Sequence, residues 1–384
     1  MKIAVPRESE SNEGRVAATP DTVKRFRALG IDVVVQAGAG EQSRIPDAAF
    51  EAEGASIAKD AKATVFGADI VLRVRRPSAA ELKAMPKGAM VIAQMDPYGN
   101  EADVKAMAKA GLTGVAMEFM PRITRAQVMD VLSSQANLAG YQAVIDAAEI
   151  FDRALPMMMT AAGTVPAAKV FVMGAGVAGL QAIATARRLG AVVTATDVRA
   201  AAGEQVESLG AKFIMTEALK DASGEGGYAR ELTAEEQKAQ AELVAEHIAK
   251  QDIVITTALI PGRPAPRLVT KEMVESMKPG SVLVDLGVER GGNVEGSKAG
   301  EVVDSGPAKI VGYLNVPGRI AATASLLYAK NLYAFVETLI DKESKEMNVN
   351  WEDELVAATV LTREGNVVHP NFAPKTDAPE AEAS

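Results

Sequence analysis

The chain has 384 residues, 48% of them hydrophobic and 24% charged, which is ample for more than one globular core. A formal net charge of -9 excludes an obvious nucleic-acid binder, and no run of 18 uncharged apolar residues is present to span a bilayer. With no cysteine, and only His247 and His369, disulfides, zinc–thiolate centres, thiol nucleophiles and multi-histidine metal sites are excluded, so no metal is expected.

In chain order, MKIAVPRESE reads as a buried strand followed by charge. It lacks the apolar run of a secretion signal, so a soluble cytoplasmic protein is expected. Short apolar runs then alternate with helical patterns, which predicts parallel α/β architecture. Strands are expected at 2–5, 32–36, 69–74, 89–94 and 112–117, with a helix at 19–30 that begins at Pro20 and ends at Gly30. Residues 134–154 read as one long helix rich in small residues. A second series opens with AKVFVMGAG (168–176) and continues through strands at 191–197, 211–215, 252–258, 281–287 and 308–313. Two strands, a switch and further strands fit a doubly wound sheet. A helix at 322–340 then carries the chain back to the first domain, and 355–370 reads as a hairpin before the acidic end at 376–384. The expected organisation is a discontinuous first domain, 1–134 plus 325–384, and an inserted nucleotide domain, 135–324.

Gly174-Ala175-Gly176-Val177-Ala178-Gly179 follows the strand KVFVM and opens a helix, so a GxGxxG stands in the setting that dinucleotide binding requires. Gly174 permits the tight turn, Gly176 lets the backbone approach a pyrophosphate, and Gly179 allows close helix–strand packing. The phosphates would meet free amides at the helix start, from Val177 onward. Asp197 closes the next strand at the expected distance, where its carboxylate can accept from adenosine ribose hydroxyls and repel a 2′-phosphate. NAD(H) is therefore expected over NADP(H), although Arg199 can tolerate a phosphate; Val198, between them, is assigned to the same site. TTALIPG (256–262) ends the fourth strand, which makes Ala258 and Leu259 candidate neighbours of the nicotinamide half, with plain core packing as the competing reading.

Two stretches carry a family resemblance. KIAVPRESESNEGRVAATPDTVKRFRALGIDVVVQAGAG (2–40) resembles the start of alanine dehydrogenases and of the NAD(H)-binding component of proton-translocating transhydrogenases. PRITRAQVMDVLSSQANLAGYQAV (121–144) resembles the transhydrogenase branch in particular. The resemblance implies an α/β fold of two Rossmann-like doubly wound domains, joined by long helices with a cleft between them. It also implies an Arg–Gln–Asp loop over the nicotinamide, matched here by Arg122, Gln127 and Asp130, with Ser133 following. In those roles Arg122 and Ser133 bond the carboxamide, Gln127 bridges toward a second nucleotide, and Asp130 orients Arg122 or the carboxamide amine. Segment 219–236, with three glycines and Tyr228, resembles the family's mobile loop that closes over nucleotide.

The departures point the same way. The lysine that handles substrate in alanine dehydrogenases corresponds to Arg75, and AQMDPYGN (93–100) holds no histidine. Arginine does not exchange its proton near neutral pH, so amino-acid oxidation lacks its acid–base pair. Arg15, which resembles the carboxylate-binding residue of those enzymes, reads as structural. Direct hydride transfer between NADH on this chain and NADP(H) on another polypeptide is the implied activity. The implied partners are a membrane-embedded proton-translocating subunit and an NADP(H)-binding domain, with this chain peripheral on the inner face of the cytoplasmic membrane. A homodimer is also implied; segment 155–165 is apolar enough for its interface, although Met157 to Met159 read more readily as core. The competing readings are an alanine dehydrogenase-like enzyme and a non-catalytic NAD-sensing module.

Overall fold

The computed structural model describes residues 1–216, 233–341 and 343–374, the side chain of Gln237 apart. The chain divides into two compact units, Met1–Gln135 with Ile320–Ser384, and Ala136–Arg319. Among the described residues no helix is long and apolar enough to cross a membrane.

The first unit is built on an eight-stranded sheet in the order Asn366–Val367, Val360–Arg363, Thr113–Ala116, Met90–Gln94, Ile70–Arg75, Lys2–Val5, Asp32–Gln36, Ser56–Ala58. The strands from Thr113–Ala116 to Ser56–Ala58 run parallel, and Val360–Arg363 joins their edge antiparallel. Alternation along each strand feeds two cores. Ile3, Val5, Ile70 and Leu72 meet Tyr328, Leu332, Phe335 and Val336 of the helix Ala321–Thr338 on one face. Ala4, Val71 and Val91 meet Val104 and Met107 of the helix Glu101–Lys109 on the other. Burial on both faces is why these strands read as unbroken apolar runs.

The second unit has a seven-stranded sheet in the order Lys212–Phe213, Val192–Thr196, Lys169–Met173, Ile253–Thr256, Ser281–Asp285, Ala308–Val311, Val302–Ser305. All pairs are parallel except the last. The Rossmann-like α/β fold expected from the sequence is present.

Several boundaries differ. The long helix runs over Val131–Ile150, beginning earlier than expected because the Asp130 carboxylate accepts from the Ser133 amide at 2.9 Å, as an N-cap does. Residues 355–370 are not one hairpin. Asp353 accepts from the Leu355 amide at 2.8 Å and starts the helix Glu354–Thr359, which buries Leu355, Val356 and Thr359 before the strands begin. Capping there overrides the β-branched pattern. Met157 to Met159 are not core: Met158–Thr160 and Gly163–Val165 pair only with each other, and Met159 is 75% exposed.

A buried ionic cluster replaces ordinary core in the first unit. Arg15, 2% exposed, donates through Nε and Nη2 to Glu13 at 2.7 and 2.6 Å, and through Nη1 to Gln135 at 2.8 Å. Arg75 donates to the same Glu13 at 2.9 Å. Burial alone would raise the Glu13 carboxyl, but the two guanidiniums outweigh it and hold it below the usual range. Glu118 is the opposite case. It accepts from the Met95 amide at 3.1 Å and from the Asp96 amide, yet burial pushes its carboxyl up to about 6 from 4.5. A raised folded-state value means the folded chain holds the extra proton between those limits. This group therefore adds stability as pH falls from 6 toward 4.5, by about 2 kcal/mol in full. Glu118→Gln should flatten that stretch of the profile in urea titrations at pH 4.5, 6 and 8; an unaltered slope would show that another group sets it.

Candidate functional site

In the second unit the chain runs one way from Lys169–Met173 and later resumes on its other side at Ile253–Thr256, with Met173 beside Thr256. This reversal opens a crevice at the carboxyl ends of the strands, the usual ligand position in such sheets. The glycine turn stands there, and its three glycines do different work. Gly174 has φ +103°, and a Cβ on it would come within 2.5 Å of the Thr257 hydroxyl. A Cβ on Gly179 would lie 1.8 Å from the Gly174 carbonyl oxygen, so only glycine lets the helix Val177–Arg188 pack this closely. A Cβ on Gly176 would meet nothing within 4 Å. That space is open to a ligand rather than filled by protein. The helix start has no side-chain cap, so its first amides remain available to an anion.

The turn is held from two sides. Thr257 donates its hydroxyl to the Met173 and Gly174 carbonyls at 3.3 and 3.2 Å. Asp197 accepts from the Ala175 amide at 2.7 Å. Its oxygens also take the Arg199 amide at 2.8 Å and the Arg199 guanidinium at 2.9 and 3.1 Å. Burial works against the charged form, but these donors outweigh it and keep the Asp197 carboxyl below its ordinary value. From the sequence this carboxylate is free for a ligand; the structure fills it with Arg199, which folds back two residues as a fork. Val198 is 79% exposed beside the pair.

Ala258 lies against the turn, its amide 3.7 Å from where a Gly174 Cβ would stand. Asn293 grips it twice, accepting from the Ala258 amide at 3.1 Å and donating to its carbonyl at 2.9 Å. Asp285 in turn accepts from the Asn293 and Val294 amides, both at 3.1 Å. Leu259 is 54% exposed, so the core-packing reading fails for it. Thus Gly174, Gly176, Val177, Gly179, Asp197, Val198, Arg199, Ala258 and Leu259 belong to one unit and gather about one turn or its neighbouring loop. Tyr228 and most of segment 219–236 lie outside the described residues.

Sequence reasoning missed Thr257, Asn293 and Gly140. A Cβ on Gly140, within the helix Val131–Ile150, would sit 2.0 Å from the Ala178 carbonyl oxygen. A lone glycine inside a helical pattern was the available signal.

Arg122, Gln127, Asp130 and Ser133 belong to the first unit. Gln127 rides on a 3-10 turn, Thr124–Met129, with its side chain exposed. Among the described residues the exposed Arg122 side chain makes no hydrogen bond or ion pair. Asp130 does not orient Arg122, because its two oxygens take the amide and hydroxyl of Ser133 at the helix start. Arg75 is engaged with Glu13, and Asp96 stands in the stretch that lacks histidine.

Family comparisons agree over nearly the whole chain. The model described as alanine dehydrogenase/PNT, N-terminal domain, matches residues 4–139, and the C-terminal domain of the same family matches residues 143–370. An NAD(P) transhydrogenase subunit alpha polypeptide of Rhodospirillum rubrum is 54% identical over 377 residues, covering 96% of this chain and 98% of that protein. The crystal structure of transhydrogenase from Sinorhizobium meliloti is 63% identical, with a TM-score of 0.85 over 97% of this chain and 100% of that one. Alanine dehydrogenase from Halomonas elongata is 30% identical over 96% of this chain and 95% of that protein. The glycine turn, the absent lysine–histidine pair and these matches converge: the chain belongs to the alanine dehydrogenase/PNT family, among its transhydrogenase alpha subunits.

Proposed function

We propose that this chain is the NAD(H)-binding component of a proton-translocating transhydrogenase, in which a hydride passes directly between NADH held here and NADP⁺ held on a partner. The carrying observation is the glycine turn: open space at Gly176, uncapped helix amides and Asp197 suit a pyrophosphate with a neighbouring ribose. When bound, the nicotinamide supplies the hydride chemistry, and the chain's residues bind, orient and exclude water. Ring-to-ring transfer needs no general acid or base, which fits the engagement of Arg75 with Glu13. Proximity and alignment are what remain, and they can supply roughly 7–11 kcal/mol of a barrier.

In this reading Arg122 and Ser133 fix the carboxamide, Gln127 contacts the second nucleotide, and Asp130 acts by fixing Ser133. Tyr228, Ala258 and Leu259 complete the NAD(H) site. The partners are a membrane-embedded proton-translocating subunit and an NADP(H)-binding domain, met peripherally at the cytoplasmic face. The exposed hairpin with Met157, Met158, Met159 and Val165 supplies a homodimer surface.

The test is NADPH-driven reduction of an NAD analogue by source membranes stripped of peripheral protein. The expected result is no activity from either component alone and restored activity on mixing. Gln127→Asn should leave NADH affinity within about twofold and slow restored transfer about fivefold or more. NADH oxidation with a 2-oxo acid and ammonia by the chain alone would instead favour an amino-acid dehydrogenase. Asp197→Asn should weaken NADH binding about tenfold and narrow the margin over NADPH, because it also frees the Arg199 fork to meet a 2′-phosphate. Equal affinities before and after the change would remove Asp197 from the ribose site.

A further inference from the structure

A polar residue in the core of the first unit has no role in the account above. Asn331 lies on the helix Ala321–Thr338, 7% exposed, beside core residues Tyr328, Leu332 and Phe335. A buried side-chain amide must find partners for both ends or cost its desolvation. Its Nδ2 donates to the carbonyl of Val128 at 2.8 Å, and its Oδ1 accepts from the Ser134 hydroxyl at 2.7 Å. Val128 follows Gln127 on the turn Thr124–Met129, so the bond fixes the backbone one residue from the proposed nucleotide contact. The reverse amide orientation would set carbonyl against carbonyl at Val128, which leaves one arrangement.

We propose that Asn331 is a positioning residue for Gln127, pinning the Val128 carbonyl so that an exposed glutamine presents one geometry; this rests on the transfer reading above. The rest of the turn agrees. Ala126 and Met129 are buried on either side of Gln127. Arg125 forms a fork onto Asp353 at 2.9 and 2.8 Å, and reaches Glu354 at 3.1 Å. Behind Asn331, Ser134 takes a 3.3 Å bond from Gln135, whose side-chain oxygen accepts from Arg15 at 2.8 Å. The buried ionic cluster thus ends in a hydrogen-bonded chain that reaches the glutamine's own turn. A side chain that must meet a reacting group works best on a backbone fixed from behind.

Asn331→Asp and Ser134→Ala test it, each as the full chain mixed with stripped membranes, with NADH affinity measured on the chain alone. At pH 8 the new carboxylate faces the Val128 carbonyl. Transfer should fall about tenfold while NADH affinity stays within about twofold. As pH drops toward 6, the buried carboxyl takes up a proton, donates to Val128, and the rate should return toward wild type. Ser134→Ala keeps the amide but loses its orienting donor. It should slow transfer about threefold at every pH, and hasten amide hydrogen exchange over residues 124–130 if the turn loosens. Variants indistinguishable from a working wild type overturn this inference alone, as does a rate loss matched by weaker NADH binding. A wild-type chain that restores nothing overturns the parent reading and takes this one with it.

Discussion

Glu13→Ala is expected to destabilise the discontinuous unit by about 3–5 kcal/mol, the usual cost of removing one partner from a buried ion pair. Arg15 and Arg75 both donate to Glu13, and the deletion robs the deeply buried Arg15 of the carboxylate that takes two of its donors. For a unit of this size that corresponds to a midpoint lower by on the order of 10 °C. Calorimetry would register it in the transition of one unit only, since two units need not unfold together. Because the Glu13 carboxyl is held below its ordinary value, its contribution is whole at neutral pH. It is lost as pH falls through the folded-state value, so the variant and wild type should converge in acid. A change below about 1 kcal/mol at neutral pH would mean that neighbouring groups take over both guanidiniums.

The second large effect is on binding. Gly179→Ala should weaken NADH by about 100-fold or more, on the order of 3 kcal/mol. Its methyl would need the place of the Gly174 carbonyl, 1.8 Å away, and backbone does not rotate aside as a side chain does. The helix must retreat, drawing its first amides from the phosphates. Gly140→Ala approaches the same turn from behind, 2.0 Å from the Ala178 carbonyl oxygen, and offers a control without altering the fingerprint. Near-native NADH affinity in Gly179→Ala would show that the amides at this helix start do not carry the phosphates.

The strands at 2–5 and 32–36 were legible to the residue because burial on both faces writes an unbroken apolar run. The short helix Ala79–Leu82 and the edge strand Val302–Ser305 escaped notice. One is a single capped turn and the other a polar edge, so neither carries a periodic signal of useful length. At the site, local chemistry was readable and contact across the fold was not. The glycine turn announces itself through spacing, and Asp197 through its place at a strand end. That Arg199 would already occupy Asp197, that Asn293 would grip Ala258, or that Gly140 would back the turn depends on approach between distant segments. Asp130 shows the remaining limit. Its preference for the Ser133 amide follows ordinary capping rules, but a functional role assigned by resemblance obscured it.

The discontinuity of the first unit also orders its birth on the ribosome. Its six parallel strands are made by residue 116, yet the helix that seals one face begins at Ala321 and the strand that covers their edge at Val360. At ordinary elongation rates those pieces emerge roughly 10–50 s later. Throughout that interval the inserted unit can fold as a continuous segment while Ile3, Leu72 and Ile92 await their cover. Nascent chains of this protein therefore carry an unfinished apolar face for most of their synthesis, and that is where a chaperone would find them.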